Sequence, residues 1–218
     1  MTGNVLVYLE AANGVLRKPV LEALGAGAKL ASQLGVQLHG VVTGADAAAV
    51  AATAVDRGAA AIHVVEDAAL AHSIVSPHRR AVVGVAQACG AAWLLFPATA
   101  RGRDLLGAVA GALEAGLAAD ATGIDVVDGT VRVTRPVFAG KAVQVVAAKR
   151  TPFCIGLRPN AFPAAAAGQG ASPVTSHALP AATQTSIASL REILAPEVAQ
   201  VDLTEAEIVV SGGRGLKG

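Results

Sequence analysis

Short runs of branched apolar residues alternate with longer helical runs over the first 117 residues, and that rhythm leaves few folds open. Asn4 to Leu9 reads as a strand whose consecutive apolar side chains suit burial on both faces. From Pro19 to Leu34, apolar residues recur at Val20, Leu24, Ala28, Ala31 and Leu34, the stripe of an amphipathic helix. Val36 to Val42 predicts a second strand, Ala47 to Asp56 a helix, and Ala61 to Val65 a third strand. Ser76-Pro77 then starts a helix, with the hydroxyl as N-cap and proline in the first turn. That helix ends near Gly90; Trp93 to Phe96 is the fourth strand, and a helix from Arg103 to Leu117 follows. Strands separated by helices require crossover connections, hence a mainly parallel sheet with helices on both faces. The composition agrees: 53% of residues are hydrophobic and only 15% charged, against about 25% charged in ordinary soluble domains.

From Ile124 the rhythm changes. Ile124 to Val127, Val131 to Phe138, Ala142 to Ala148 and Phe153 to Leu157 are strand-like with short breaks, and Asp128-Gly129 is a strong hairpin turn. These predict antiparallel strands that extend or flank the parallel sheet. Residues 1–160 thus form an α/β domain, a three-layer arrangement. Residues 161–185, rich in Ala, Gly, Pro, Ser and Thr and free of charge, read as a linker or surface excursion. Residues 186–202 read as a helical connector, with Ile187, Leu190 and Leu194 on one face and Pro196 as the stop. Residues 203–218 carry a last strand at Ile208-Val209-Val210.

Several function classes are excluded by what the chain lacks. A net charge of +1 gives no attractive field for nucleic acid or an anionic membrane surface. The aromatics Tyr8, Trp93, Phe96, Phe138, Phe153 and Phe162 are too few and scattered for a base-stacking platform. Ala81 to Ala100 carries no charge, but Gln87, Gly90 and Pro97 divide it into a helix end and a buried strand, not a membrane span. The N-terminus has no signal-peptide pattern, so a cytoplasmic location is expected. Cys89 and Cys154 read as buried free thiols. His39, His63, His72, His78 and His177 form no metal-site spacing, and no serine nucleophile elbow is present. His39 and His63 read as satisfied core residues, and Asp120, Asp125 and Asp128 as surface residues at turns. No catalytic residue and no metal ligand is assigned, and the chain is not expected to be an enzyme.

The densest chemistry lies in Ser211-Gly212-Gly213-Arg214-Gly215. Glycines after a β run permit positive φ and expose N–H groups to an anion, and an arginine adds a bidentate contact to phosphate. In nucleotide folds such a loop feeds a helix whose N-terminus completes the site.

Four segments, in order, resemble the electron-transfer flavoprotein α-subunit family. Val209-Val210-Ser211-Gly212-Gly213-Arg214-Gly215-Leu216-Lys217 resembles the signature that opens its FAD domain. Pro97-Ala98-Thr99-Ala100-Arg101-Gly102-Arg103-Asp104 resembles its P-A-T-A-x-G-[KR]-[DN] loop, Arg135 to Ala142 its R-P-[IV]-[YF]-A-G-[NK]-A segment, and Arg158-Pro159-Asn160-Ala161-Phe162 its R-P-x-A-F segment. Gly107 and Ala108 stand where the family often has Pro-Arg.

The resemblance implies a Rossmann-like, adenine-nucleotide-hydrolase-like domain, followed by the start of an FAD-binding domain that family members continue beyond Gly218. It implies an electron carrier: FAD accepts electrons from flavoprotein dehydrogenases, such as those of fatty acid β-oxidation, and passes them to a quinone oxidoreductase. Its partner is a β subunit that holds AMP. Arg214, with Gly212, Gly213 and Gly215, is the segment expected to contact FAD; the rest is scaffold and β-subunit interface. The rival reading is an adenine-nucleotide-binding module of the universal-stress or ATP-pyrophosphatase type, in which Thr99, Arg101 and Arg103 are placed to meet an anion. Against it, Glu10-Ala11-Ala12-Asn13-Gly14 follows the first strand in place of an S-G-G-x-D-S phosphate loop.

Overall fold

The computed structural model describes residues 3–12, 14–182, 188–192, 194, 208–213 and 215. The chain divides into two compact units, Met1–Ala188 and Ser189–Gly218.

In the first unit, β1 (Asn4–Tyr8) leads through a tiny hairpin, β2 (Ala11–Ala12) and β3 (Val15–Leu16), into α1 (Lys18–Leu34). Then come β4 (Leu38–Gly44), α2 (Ala47–Ala52), β5 (Ala61–Glu66), a short 3-10 turn (Ala68–Leu70), α3 (Val75–Ala88), β6 (Ala91–Pro97) and α4 (Ala100–Ala112). The remainder is strand: β7 (Gly116–Ala121), β8 (Gly123–Val127), β9 (Thr130–Val137), β10 (Ala142–Ala147), β11 (Phe153–Leu157) and β12 (Val174–His177).

Seven strands form one sheet in the order β12-β5-β4-β1-β6-β11-β7, with every neighbouring pair parallel. Side chains alternate between its faces, so each strand feeds two cores. Val5, Val7, Leu38, Val42, Ile62 and Trp93 pack with α1 and α2; Leu6, Tyr8, Val41, Val65, Leu94 and Phe96 pack with α3 and α4. The expected parallel α/β sheet is therefore present, covered on both faces. The added strands are also present as the antiparallel sheet β10-β9-β8, whose Ile124, Val131 and Val133 join the α1-side core. Its turn takes Asp128 and Gly129 through φ of 50° and 70°, the twist that an Asp-Gly hairpin supplies.

Several details differ from the sequence reading: the helix expected over Ala47 to Asp56 ends at Ala52, and the one expected from Arg103 begins at Ala100. The last helix stops at Ala112, because Glu114 turns into the left-handed region at φ 49° and Gly116–Ala121 becomes a strand. Ser76 does not cap α3: Ile74 holds the N-cap position without a side-chain bond, and Pro77 lies in the first turn. Within the 161–185 excursion, Val174–His177 docks as an edge strand on β5, while 183–185 lie outside the described residues. Finally, residues 188–192 carry no helix and Ile208-Val209-Val210 no strand; Ile208 and Val210 are exposed. A strand needs a ladder partner, and among the described residues none is paired with these three. Ile187, Pro196 and most of the expected connector lie outside the described residues.

Among the described residues, no helix is long and apolar enough to cross a membrane. Cys154 is buried and Cys89 half-buried, both free thiols; burial raises Cys89 and pushes Cys154 up to about 12.

One glycine fixes the join between sheet and helix. A Cβ at Gly102 would sit 1.9 Å from the Pro97 carbonyl oxygen, so any side chain there forces α4 away from the end of β6. Gly102→Ala is expected to lower stability by about 1–3 kcal/mol, the range for overpacking. An unchanged urea midpoint would contradict this close approach.

Candidate functional site

Parallel strands send all their carboxyl ends to one edge of a sheet. Chain connections leave β1 for β4 on one side, while β6 lies on the other, so the order reverses between β1 and β6. Ligand crevices form at such reversals, because adjacent loops diverge there. A cavity of about 640 Å³ occupies this place, lined by Glu10 and Arg17 after β1, Thr43 and Gly44 at the end of β4, Ala45 to Ala47 beyond it, Ser73, and Arg101 and Asp104 on α4.

Thr99 organises its floor. It N-caps α4, its hydroxyl oxygen accepting from the Gly102 N–H at 3.0 Å. The same hydroxyl donates to the Glu10 carboxylate, so the chain places its own anion at the start of α4, where the helix dipole favours one. Arg101 donates to the Ser73 hydroxyl. Behind them Tyr8 is buried, its hydroxyl beside Thr43 and Arg101; burial raises its pKa against the opposing pull of these two neighbours. Thr43 bonds His78 Nδ1 at 2.7 Å, and His78 Nε2 meets the His72 carbonyl at 2.9 Å. The carbonyl can only accept, so His78 carries its proton on Nε2 and Thr43 donates to Nδ1. Nearer the start of α2, the Ala48 N–H donates to the Glu66 carboxylate at 2.8 Å. Two helix starts facing this crevice are thus met by the protein's own carboxylates.

Further along the same edge, three of the segments singled out in the sequence converge. Asp120, near the end of β7 at φ 63°, takes a bidentate pair from Arg158 after β11, at 2.8 and 2.6 Å. Arg103 of α4 and Arg135 of β9 also face that carboxylate. The Arg158 hydrogen bonds, with help from the other two charges, hold the Asp120 carboxyl below its usual range, and Arg158 is raised in turn. Asp120 is therefore more than a turn residue, and only its fold neighbours reveal this. Asp125 is half of a surface pair, 2.9 Å from Lys29. The β9–β10 turn beside the cluster holds Phe138, Ala139 and Gly140 at φ of 53°, 55° and 85°, and Phe138 is 79% exposed. A bulky residue in the left-handed region costs about 1–2 kcal/mol.

A third polar feature crosses the sheet itself. His39 Nδ1 lies 3.0 Å from His63 Nε2, and His63 Nδ1 lies 2.8 Å from His177 Nε2, joining β4, β5 and β12. Each contact needs one protonated and one bare nitrogen, so the tautomers of all three rings are set together. His39 and His63 are core residues as expected, and hydrogen-bonded, although His39 Nε2 is buried without a partner. Burial first, then His39 and His177, lowers His63 to about 4; burial also lowers His39 and His78. No group of three or more metal-ligating side chains was found among the described residues.

The glycine segment lies in the second unit. Gly212 and Gly213 are exposed and outside regular structure, and a Cβ at Gly213 or Gly215 would meet open space. Arg214 lies outside the described residues.

Residues 5–182 match the family model described as the electron transfer flavoprotein domain. "Protein FixB" of Rhizobium meliloti (strain 1021) is 33% identical over 98% of the chain and 63% of its own length. "Electron transfer flavoprotein subunit alpha" of Bacillus subtilis (strain 168) is 29% identical over 100% of the chain and 66% of its own length. The protein of the same name from Paracoccus denitrificans is 34% identical over 97% of the chain and 65% of its own length. The chain thus spans somewhat under two thirds of these relatives.

The histidine file gives a signed pH dependence. An unfolded histidine takes up its proton near pH 6.5, whereas His63 in the fold resists until about 4. Stability is therefore complete above that unfolded value and falls as pH drops toward the folded one. Urea midpoints for the protein should fall between about pH 7 and about pH 5 more steeply than those of His63→Gln, which removes one titrating ring. Parallel slopes for the two proteins would contradict the assignment.

Proposed function

Because the chain belongs to the electron transfer flavoprotein domain family, we propose that it serves as the scaffold region of an electron-transfer flavoprotein α subunit. The observation that carries this reading is the match to α-subunit relatives along 97% to 100% of the chain. In this reading FAD is the electron carrier and the protein positions and tunes it, without a substrate of its own. Arg214, with Gly212, Gly213 and Gly215, forms part of the FAD contact; most of it falls in the portion of the relatives that this chain does not span. A β subunit holding AMP is the partner. Flavoprotein dehydrogenases, including those that oxidise acyl-CoA, supply the electrons and a quinone oxidoreductase receives them. A cytoplasmic location belongs to the same reading.

The switch-point cavity favours a second reading, the adenine-nucleotide module. Its charge speaks against a phosphate ligand. Glu10, Asp46 and Asp104 outnumber Arg17 and Arg101, and Glu10 already sits at the start of α4. A phosphate entering here would meet repulsion at the place where such folds offer attraction.

Titrating the 218-residue chain with FAD tests the first reading. Weak or no binding is expected, with no stoichiometric complex at about 10 μM protein, a concentration that captures any Kd near 1 μM. A tight one-to-one complex would overturn the placing of the flavin contacts. Thermal stabilisation by ATP without stabilisation by FAD would favour the second reading.

A further inference from the structure

Residues 161–182 hold no helix, yet they run as a strap from one face of the seven-stranded sheet to the other. The Ala165 N–H donates to the Leu21 carbonyl of α1, and the Ser172 N–H to the Val55 carbonyl beyond α2. β12 then lines the edge of β5, where the Ile62 N–H donates to the Pro173 carbonyl at 2.9 Å. Past that edge Leu179 packs on the α3 and α4 side, and Arg80 of α3 donates to the Pro180 carbonyl at 3.0 Å. Gly84 of α3 admits the crossing, because a Cβ there would stand 2.9 Å from the Pro180 ring.

Within β12 itself, side chains do little to hold the strand. Val174, Thr175 and Ser176 are exposed; His177 alone is half-buried, and it reaches His63, which reaches His39. Backbone hydrogen bonds and the Arg80 guanidinium do not titrate between about pH 7 and about pH 4, whereas imidazoles do. Three neutral rings carry three protons: two fill the contacts and the third sits at an end of the file. A further proton either charges rings that burial has stripped of water or enters a contact, where two N–H groups then face each other. Lifting β12 gives His63 Nδ1 access to water and removes both penalties.

We propose that the file of His39, His63 and His177 is an acid-sensitive latch: a proton taken up by the file releases β12 from β5 while the rest of the sheet stays folded. No carboxylate among the described residues answers the charge, since only His39 and His177 act on His63 besides burial. On the same face, α3 carries His78, Arg79 and Arg80, and the turn before it carries Asp67 and His72. His78 is taken up by Thr43 and the His72 carbonyl, Arg80 by Pro180, and Asp67 by the Ala69 N–H. Arg79 and His72 are exposed, and α2 on the opposite face has no titratable side chain. Release bares the edge of Ala61–Glu66 that β12 now pairs. The latch does not depend on the flavoprotein reading.

Amide hydrogen exchange on the 218-residue chain, corrected for the intrinsic pH dependence of exchange, tests the latch. The Ile62 amide, bonded to Pro173, reports the strap; the Val5 amide, bonded to the Gln37 carbonyl at 2.9 Å, reports the central strand. Between about pH 7 and about pH 5 the opening constant at Ile62 should rise about tenfold. That is the linkage of a ring held near 4 when closed that recovers ordinary histidine behaviour on release. Val5 should stay better protected than Ile62 throughout. His63→Gln should flatten the rise at Ile62, whereas His72→Gln, outside the file, should keep it. Should His63→Gln misfold, the ring nitrogen resonances of His63 and His177 in the unaltered protein still report, titrating with the midpoint of Ile62 opening. The proposal is overturned if Ile62 opening ignores pH, if it rises equally in His63→Gln, if Ile62 and Val5 open in step, or if the rings titrate without any change at Ile62.

Discussion

The burial of β1 on both faces is the constraint from which the rest of the first unit follows. Val5 and Val7 face one helical layer, and Leu6 and Tyr8 the other, all essentially inaccessible to water. A strand so enclosed must be central, with β4 and β6 as its two neighbours. Chain connections must then run outward in opposite directions, which opens the crevice between the loops after β1 and β6. Glu10, Thr99 and Arg101 meet there because they follow these two strands, and Gly102 is required because α4 starts against the end of β6.

Along that one edge the protein separates charges of opposite sign. At the switch point, carboxylates of the chain itself take the positions at helix starts that anions would otherwise seek. Beyond β6, guanidinium groups gather around a single aspartate. The difference arises from connectivity. β11 inserts between β6 and β7, bringing Arg158 beside Asp120, and the antiparallel sheet that intervenes in sequence delivers Arg135 to the same place. A fold with β7 directly beside β6 would not assemble this cluster.

Much of the first unit was legible in the sequence because its strands are continuous apolar runs and its helices carry one stripe each. The limits of legibility are equally physical. Gly116 and Leu117 were assigned to the preceding helix and the rest of Gly116–Ala121 to no element, because Gly-Leu-Ala-Ala has no periodic signature; the left-handed turn at Glu114 separates helix from strand. Val174–His177 escaped notice because an edge strand has one partner and needs little hydrophobicity, and His177 anchors it through His63. Asp120 looked ordinary because its partners are 38 positions away in one case and on other elements in the rest. The arginines Arg103, Arg135 and Arg158 stood within segments that resemble family motifs, yet nothing in linear sequence shows that they share a carboxylate. Gly212, Gly213 and Gly215 were singled out from their own residues, as glycines that follow an apolar run.

The function proposed above makes this chain an α-subunit scaffold with a β subunit as its partner. Sedimentation velocity on an equimolar mixture of the 218-residue chain and the electron-transfer-flavoprotein β subunit of its own organism tests that most directly. A single heavier boundary, with the mass of one copy of each chain, is the predicted result. Two boundaries that sediment as the separate proteins do, across the micromolar range, would contradict it.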